Sequence, residues 1–316
     1  MALDDDRDNF NIDVVVEDLE AGHLSPEECE PDLSKESFQQ NLNAQKDLVE
    51  IIDPKFLKIY DVFRNERFYP KLRLAKIKRV RFEDGSETIE STVDISRLTD
   101  QKKEQFLWDV IYHMHNSHHP TNGTLCAHLD TFIPQTNSQR RALQYAGAFV
   151  EEENAATPAG ILFYGDSGTG KTHLARGIAI EYMKKGWSVN YVSPGQGPRT
   201  ELTFWGEERP VKPREKQLWI FDNVNPAKMG VVQDYFLNVC GYIADEGGRL
   251  VVTSAKEDFN GWFTQMFGRE GYTELKRWKE IIEGFMKAYH IEGPNHRIET
   301  AWFRKAYVSF KNDPKE

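Results

Sequence analysis

The stretch Gly160-Ile-Leu-Phe-Tyr-Gly165-Asp166-Ser167-Gly168-Thr169-Gly170-Lys171-Thr172-His173-Leu-Ala-Arg176 decides how this chain reads. It meets the pattern G-x-x-x-x-G-K-[ST] at every fixed position. Ile161 to Tyr164 form a short apolar run between two glycines, which predicts a buried parallel strand. The glycines allow a tight turn whose N–H groups face a triphosphate. Lys171 is placed to reach the β- and γ-phosphates, and the Thr172 hydroxyl to hold Mg²⁺. Leu174, Ala175, Ile178, Ala179 and Tyr182 then recur at helical spacing, so a helix N-terminus adds its positive dipole to the loop. Strand, glycine turn and helix together predict a nucleoside triphosphate site spanning Gly165 to His173.

Downstream, Trp187 to Val192 predicts a second strand, and Leu218-Trp-Ile-Phe-Asp222-Asn223 a third. The latter is an apolar run ending in an acid, the Walker B arrangement, with Asp222 placed to bind Mg²⁺ directly or through water. Leu250-Val-Val-Thr253-Ser254 predicts a fourth strand whose polar end, Thr253 or Ser254, is positioned to sense a γ-phosphate.

The segment Gly160–Val192, with its G-x-x-G-x-G-K-T-H-L-A-R run and the following Lys-Lys-Gly-Trp-Ser-Val turn, resembles AAA+ ATPases of the DnaC/IstB group. These are helicase loaders and transposition helper proteins related to the initiator DnaA, and the resemblance covers about residues 155–280. It implies an ATP-controlled assembly acting on DNA or on a replicative helicase, with a homo-oligomer as one form. The family usually places a second acid after the Walker B aspartate, where this chain has Asn223. An amide orients water but cannot accept its proton, so slow or absent hydrolysis is expected. The resemblance also implies an arginine acting in trans, for which Arg269 and Arg277 are the candidates, and Arg297 is a candidate sensor 2 residue.

Upstream, the charge is strongly segregated. Residues 1–50 hold fifteen acidic and three basic residues, a net of −12, so the rest of a chain with net charge −10 carries about +2. Residues 1–45 read as an acidic, disordered tail. Residues 55–81 hold ten basic residues against Asp61 and Glu66, with Phe56, Tyr60, Phe63, Phe68 and Tyr69 interleaved. That mixture suits single-stranded DNA, or a solvated strand face with its aromatics in a core. Alternation from Leu72 to Phe82, Asp84-Gly85 and then Thr88 to Ile95 predict a β-hairpin. Thr99 or Asp100 is placed to cap a helix over 101–114, and residues 136–152 predict another.

Five of the nine histidines fall between His113 and His128, which raises zinc, but only Cys126 accompanies them and no C-x-x-C anchors a site. His113-Met114-His115 also resembles the histidine–hydrophobe–histidine motif of rolling-circle endonucleases. In that alternative Tyr145 is the nucleophile, and the chain is a nicking domain joined to a superfamily 3 helicase. Those motifs lie on a strand, whereas this triplet sits at the end of a predicted helix. A nucleotide-bound scaffold without DNA contact is a third reading.

No apolar run approaches membrane-spanning length, and Met1 to Phe10 are acidic with no apolar core of a secretory signal. Three scattered cysteines fit a reducing, cytoplasmic setting. The expected fold is α/β: an AAA+-like P-loop NTPase sheet flanked by helices at 153–290. A smaller α+β accessory domain at 46–152 precedes it, and a packing element at 291–316 with Trp302, Phe303, Tyr307 and Phe310 follows.

Overall fold

The structure is a computed structural model and describes residues 47–52, 56–57, 60, 63–64, 68–115, 126–151, 158–192, 216–225, 232–255, 261, 264 and 272–295. The acidic tail and the C-terminal element at 296–316 lie outside the described residues, as do Arg269, Arg297, His118 and His119. The chain divides into two compact units, Met1–Val110 and Ile111–Glu316.

The first unit holds a three-stranded antiparallel sheet in the order β1-β3-β2, with β1 at Leu48–Ile52, β2 at Arg73–Arg81 and β3 at Glu87–Asp94. The hairpin predicted around Asp84-Gly85 is present. Gly85 takes φ +83°, and Asp84 accepts from the Ser86 N–H at 2.8 Å and from the Ser86 hydroxyl. These hydrogen bonds hold the Asp84 carboxyl below its usual range. Helix α1 spans Asp100–His115, and Thr99 caps it: Lys102 N donates to Thr99 Oγ1 at 3.4 Å and Lys103 N to Thr99 O at 2.8 Å. The division between the units falls inside this helix.

Among the described residues of 55–81, four of the five interleaved aromatics are withdrawn from any ring-stacking surface, while Phe68 is half-buried. Phe56, Phe63 and Tyr69 are fully buried and Tyr60 nearly so. Phe106 of α1 meets Phe63 edge-on at 5.6 Å and Tyr69 at 5.1 Å. Tyr69 also donates its hydroxyl to the buried Asp109. Burial of this much aromatic area outweighs any gain from exposed rings, so the aromatics make the core. The basic run is also partly answered across the sheet. Arg81 forks onto Glu87 at 2.7 and 2.9 Å, Arg79 lies 3.7 Å from Glu87, and Lys78 lies 4.0 Å from Glu90. Strand register brings those acids opposite the bases, which a count along residues 55–81 misses.

The second unit is a five-stranded parallel sheet in the order β5-β6-β7-β4-β8. Its strands are β4 (Gly160–Tyr164), β5 (Ser188–Val192), β6 (Gln217–Phe221), β7 (Arg249–Ser254) and β8 (Met286–His290). Helices α2 (Asn137–Glu151), α3 (Lys171–Lys184), α4 (Val232–Glu246) and α5 (Tyr272–Phe285) accompany it. Helix α3 buries Leu174, Ala175, Ile178, Ala179 and Tyr182, the residues picked out by helical spacing. Strands β4, β6 and β7 are buried almost throughout, and Leu162, Phe221, Phe236, Leu250 and Val252 form the core beside them. This is the α/β parallel-sheet fold expected.

Two features depart from the sequence reading. Helix α2, expected in the accessory segment, belongs to the second unit and packs on α3: Tyr182 donates its hydroxyl to Phe149 O at 2.8 Å. A fifth strand, β8, was not predicted; it pairs with β4 from Gly160↔Met286 to Tyr164↔His290.

Phe106→Ala is expected to cost about 3–5 kcal/mol of unfolding free energy, because it opens a cavity between Phe63 and Tyr69. Urea unfolding of the variant and the wild type measures it.

Candidate nucleotide site

The loop Gly165–Gly170 leaves the carboxyl end of β4, flanked by β7 on one side and β8 on the other. Ligands of open α/β sheets bind at this edge. Asp166 and Ser167 are exposed at its tip, while Gly165, Thr169 and Lys171 are buried. Gly165 has φ +127°, and a Cβ there would lie 2.5 Å from Ile291 O, so backbone alone fits. Gly170, at φ +99°, opens α3, and a Cβ there would lie 2.5 Å from the Phe132 ring.

Lys171 reaches back across the loop. Its ammonium donates to Gly165 O at 2.8 Å, to Asp166 O and to Thr169 Oγ1 at 3.2 Å. The cation is thereby held within the turn that the motif assigns to phosphates. Gln139 of α2, fully buried, braces the loop from outside by donating to Thr169 O at 3.1 Å. No local pattern singles out Gln139; only the packing of α2 reveals it.

Asp222 stands one residue past β6 and is nearly buried. Thr172 donates to its Oδ1 at 2.9 Å and Oδ2 at 3.2 Å, Thr253 donates to Oδ1, and Tyr191 donates to Oδ2. Thr172 and Asp222, fifty positions apart in sequence, thus meet directly. A carboxylate has about four lone-pair sites, and three O–H groups take three of them. Thr172 keeps its lone pairs for a cation while its proton stays on Asp222, and the remaining Asp222 site can accept from a cation-bound water. An all-oxygen set of this kind fits Mg²⁺.

Three further sequence-picked residues are placed by contacts of their own. Ser254 turns its hydroxyl to Val224 O at 2.8 Å, away from Asp222. Thr253 takes the position instead, because successive side chains of a strand point to opposite faces. Asn223 is exposed, has φ +58°, and donates its backbone N–H to Thr253 Oγ1 at 2.8 Å. The left-handed backbone region favours asparagine, so conformation is a second reason for its presence. His173 packs edge-on against Phe132, and its Nε2 lies 2.9 Å from His128 O. A carbonyl only accepts, so this nitrogen carries the proton. Arg277 is exposed on α5.

Among the described residues, no group of three or more His, Cys, Asp or Glu is arranged to hold a metal ion. His113 and His128 are both buried, and the His113–His115 triplet ends a helix rather than lying on a strand. Tyr145 is partly exposed and stacks on Tyr289 at 4.0 Å. Among the described residues no helix is long and apolar enough to cross a membrane.

No protein-family model and no curated protein matches the chain. Solved structures similar to it include DnaI, at 22% identity over 53% of this chain and 89% of that one, with TM-score 0.40. The DnaC helicase loader is 20% identical over 52% of this chain and 97% of that one, with TM-score 0.40. AMPPCP-bound DnaA from Aquifex aeolicus is 19% identical over 60% of this chain and 57% of that one, with TM-score 0.41. The fold assignment stands on the strand order and on the loop at the end of β4.

Gly165→Ala is expected to destabilise the protein by at least about 1–3 kcal/mol, since both its φ and Ile291 O oppose a side chain. Gly147→Ala, inside α2 with open space around a Cβ, is expected to stabilise by about 0.5–1 kcal/mol. Denaturant unfolding of both variants checks the contrast.

Proposed function

We propose that the chain binds ATP with Mg²⁺ and acts as a slow ATPase or nucleotide switch in DNA replication or transposition, in the manner of a helicase loader. The observation that carries the nucleotide reading is the placing of Lys171, Thr172 and Asp222 at the carboxyl edge of the sheet, with Thr172 hydrogen-bonded to Asp222. Backbone N–H groups of Gly165–Lys171 surround the phosphates, and Lys171 exchanges the carbonyls of Gly165 and Asp166 for phosphate oxygens. Thr172 and Asp222 hold the cation, which neutralises phosphate charge. Thr253 links Asp222 to the backbone of Asn223, so a change at the carboxylate reaches the position where attacking water would be oriented.

The direction toward replication comes from the resemblance of Gly160–Val192 to helicase loaders and transposition helpers. Under this reading the partners are single-stranded DNA and a replicative helicase or other protein, and Arg269 and Arg277 are the candidates for an arginine acting on a neighbouring copy. Any DNA contact in residues 55–81 is made by charge, through groups such as Arg73, Lys76 and Arg79 on β2, and not by the buried rings.

Lys171→Ala is expected to remove ATP binding, measured by titration with a fluorescent ATP; unchanged affinity would refute the site. Wild-type turnover is expected to be slow. Asn223→Asp, which tolerates the same backbone and supplies a proton acceptor, is expected to raise it at least about tenfold. Phosphate release with and without single-stranded DNA measures both, and a rate unmoved by the substitution would separate Asn223 from the chemistry.

A further inference from the structure

We propose that Tyr191 is a positioning residue, holding the Asp222 carboxylate in the orientation through which a divalent cation joins the nucleotide. The inference rests on the reading of Gly165–Thr172 as a nucleoside triphosphate site and adds a residue that no motif of that site contains.

Tyr191 is the penultimate residue of β5, an edge strand of the sheet. It lies opposite Ile220 of β6, and Asp222 N donates to Val192 O at 2.8 Å, so the two strand ends are locked in register. From there the phenol hydroxyl donates to Asp222 Oδ2, while Thr253 donates to Oδ1 and Thr172 to both oxygens. Three hydroxyls from β5, β7 and α3 thus fix the plane of one carboxylate. Among the described residues, Tyr191 holds the Oδ2 side from β5, and the other contact to that oxygen is the longer one to Thr172, at 3.2 Å.

The phenol is itself held. Tyr112 meets its ring edge-on at 6.4 Å, and Arg176 lies 4.7 Å over the Tyr112 ring. Arg176 is fully buried one helical turn beyond Thr172, so the same helix that carries the cation ligand also closes the aromatic support. Burial first, and the Asp222 charge second, push the Tyr191 phenol well above its ordinary range.

Removing the hydroxyl leaves Asp222 free to turn about its side-chain bond, away from Thr172. Tyr191→Phe in the full chain tests this by titration with mant-ATP, once in EDTA and once across a Mg²⁺ series. The expected result is a rise of about tenfold in the Mg²⁺ concentration giving half-maximal effect, as befits the loss of a hydrogen bond to a charged group. Affinity in EDTA is expected to stay within about twofold of wild type, with the thermal midpoint lowered by a few degrees because a buried carboxylate loses one of its donors. Tyr191→Leu, which also lacks the hydroxyl, is expected to show the same split between Mg²⁺ and EDTA. An unchanged or lower Mg²⁺ requirement in the variants overturns the proposal. So does an equal loss in EDTA, which would mark a structural role only. Wild-type protein that binds no mant-ATP under either condition refutes the nucleotide reading itself, a different failure from a wild type that binds and a variant that matches it.

Discussion

Asp222 is an ionisable group with 5% of its surface exposed, and the second unit is arranged around satisfying it. A carboxylate taken this far from water is tolerated only when its oxygens accept hydrogen bonds. The donors come from the start of α3, the end of β5 and the end of β7, three elements that meet only where a parallel sheet ends. Each must therefore stop at the right residue. The parallel register from Ser188↔Gln217 to Val192↔Phe221 sets the end of β5 against β6, and Leu218↔Arg249 to Phe221↔Val252 sets β7.

The loop depends on the same edge for different reasons. It must approach Ile291 and Phe132 closely enough that a Cβ at Gly165 or Gly170 would collide. Helix α2 and the turn after β8 supply the outer wall: Thr136 donates to Glu292 O at 2.7 Å, Ser138 to His290 O at 2.7 Å, and Gln139 to Thr169 O. Segments flanking the motif by about thirty residues before it and over a hundred after it thus hold the phosphate turn in shape. Pre-formed geometry of this kind limits what a bound nucleotide must reorganise.

The first unit shows how composition misleads when taken along the chain. Ten basic residues and five aromatics in sequence look like one binding surface, yet the fold sends them apart. Four of the rings go inward, Phe63 and Tyr69 against Phe106, and the β2 bases stay outside, opposite Glu87 and Glu90. The rings lie on residues 56–69, ahead of β2, and the bases opposite Glu87 and Glu90 lie on the strand itself, so the two sets belong to different elements. The hairpin itself was legible, since Asp84-Gly85 is a local turn signal that needs no distant partner.

Read alone, the sequence determined whatever local chemistry dictates: the tight turn after β4 from its glycines, helix α3 from its apolar spacing, and three buried strands from short apolar runs. It also placed Asp222 at the end of one of them. Tertiary structure alone decided which residues meet that acid. Thr253 and Ser254 are equivalent as a pair of hydroxyls until the pleat aims one at Asp222 and the other at Val224. Tyr191 is one aromatic among twelve tyrosines until β5 is registered against β6. Strand β8, Met-Lys-Ala-Tyr-His, has no alternation to betray it and becomes a strand because β4 offers it a row of backbone partners. Local patterns record the conformations a segment favours by itself, whereas side-chain partners fifty residues away are chosen by strand order and register.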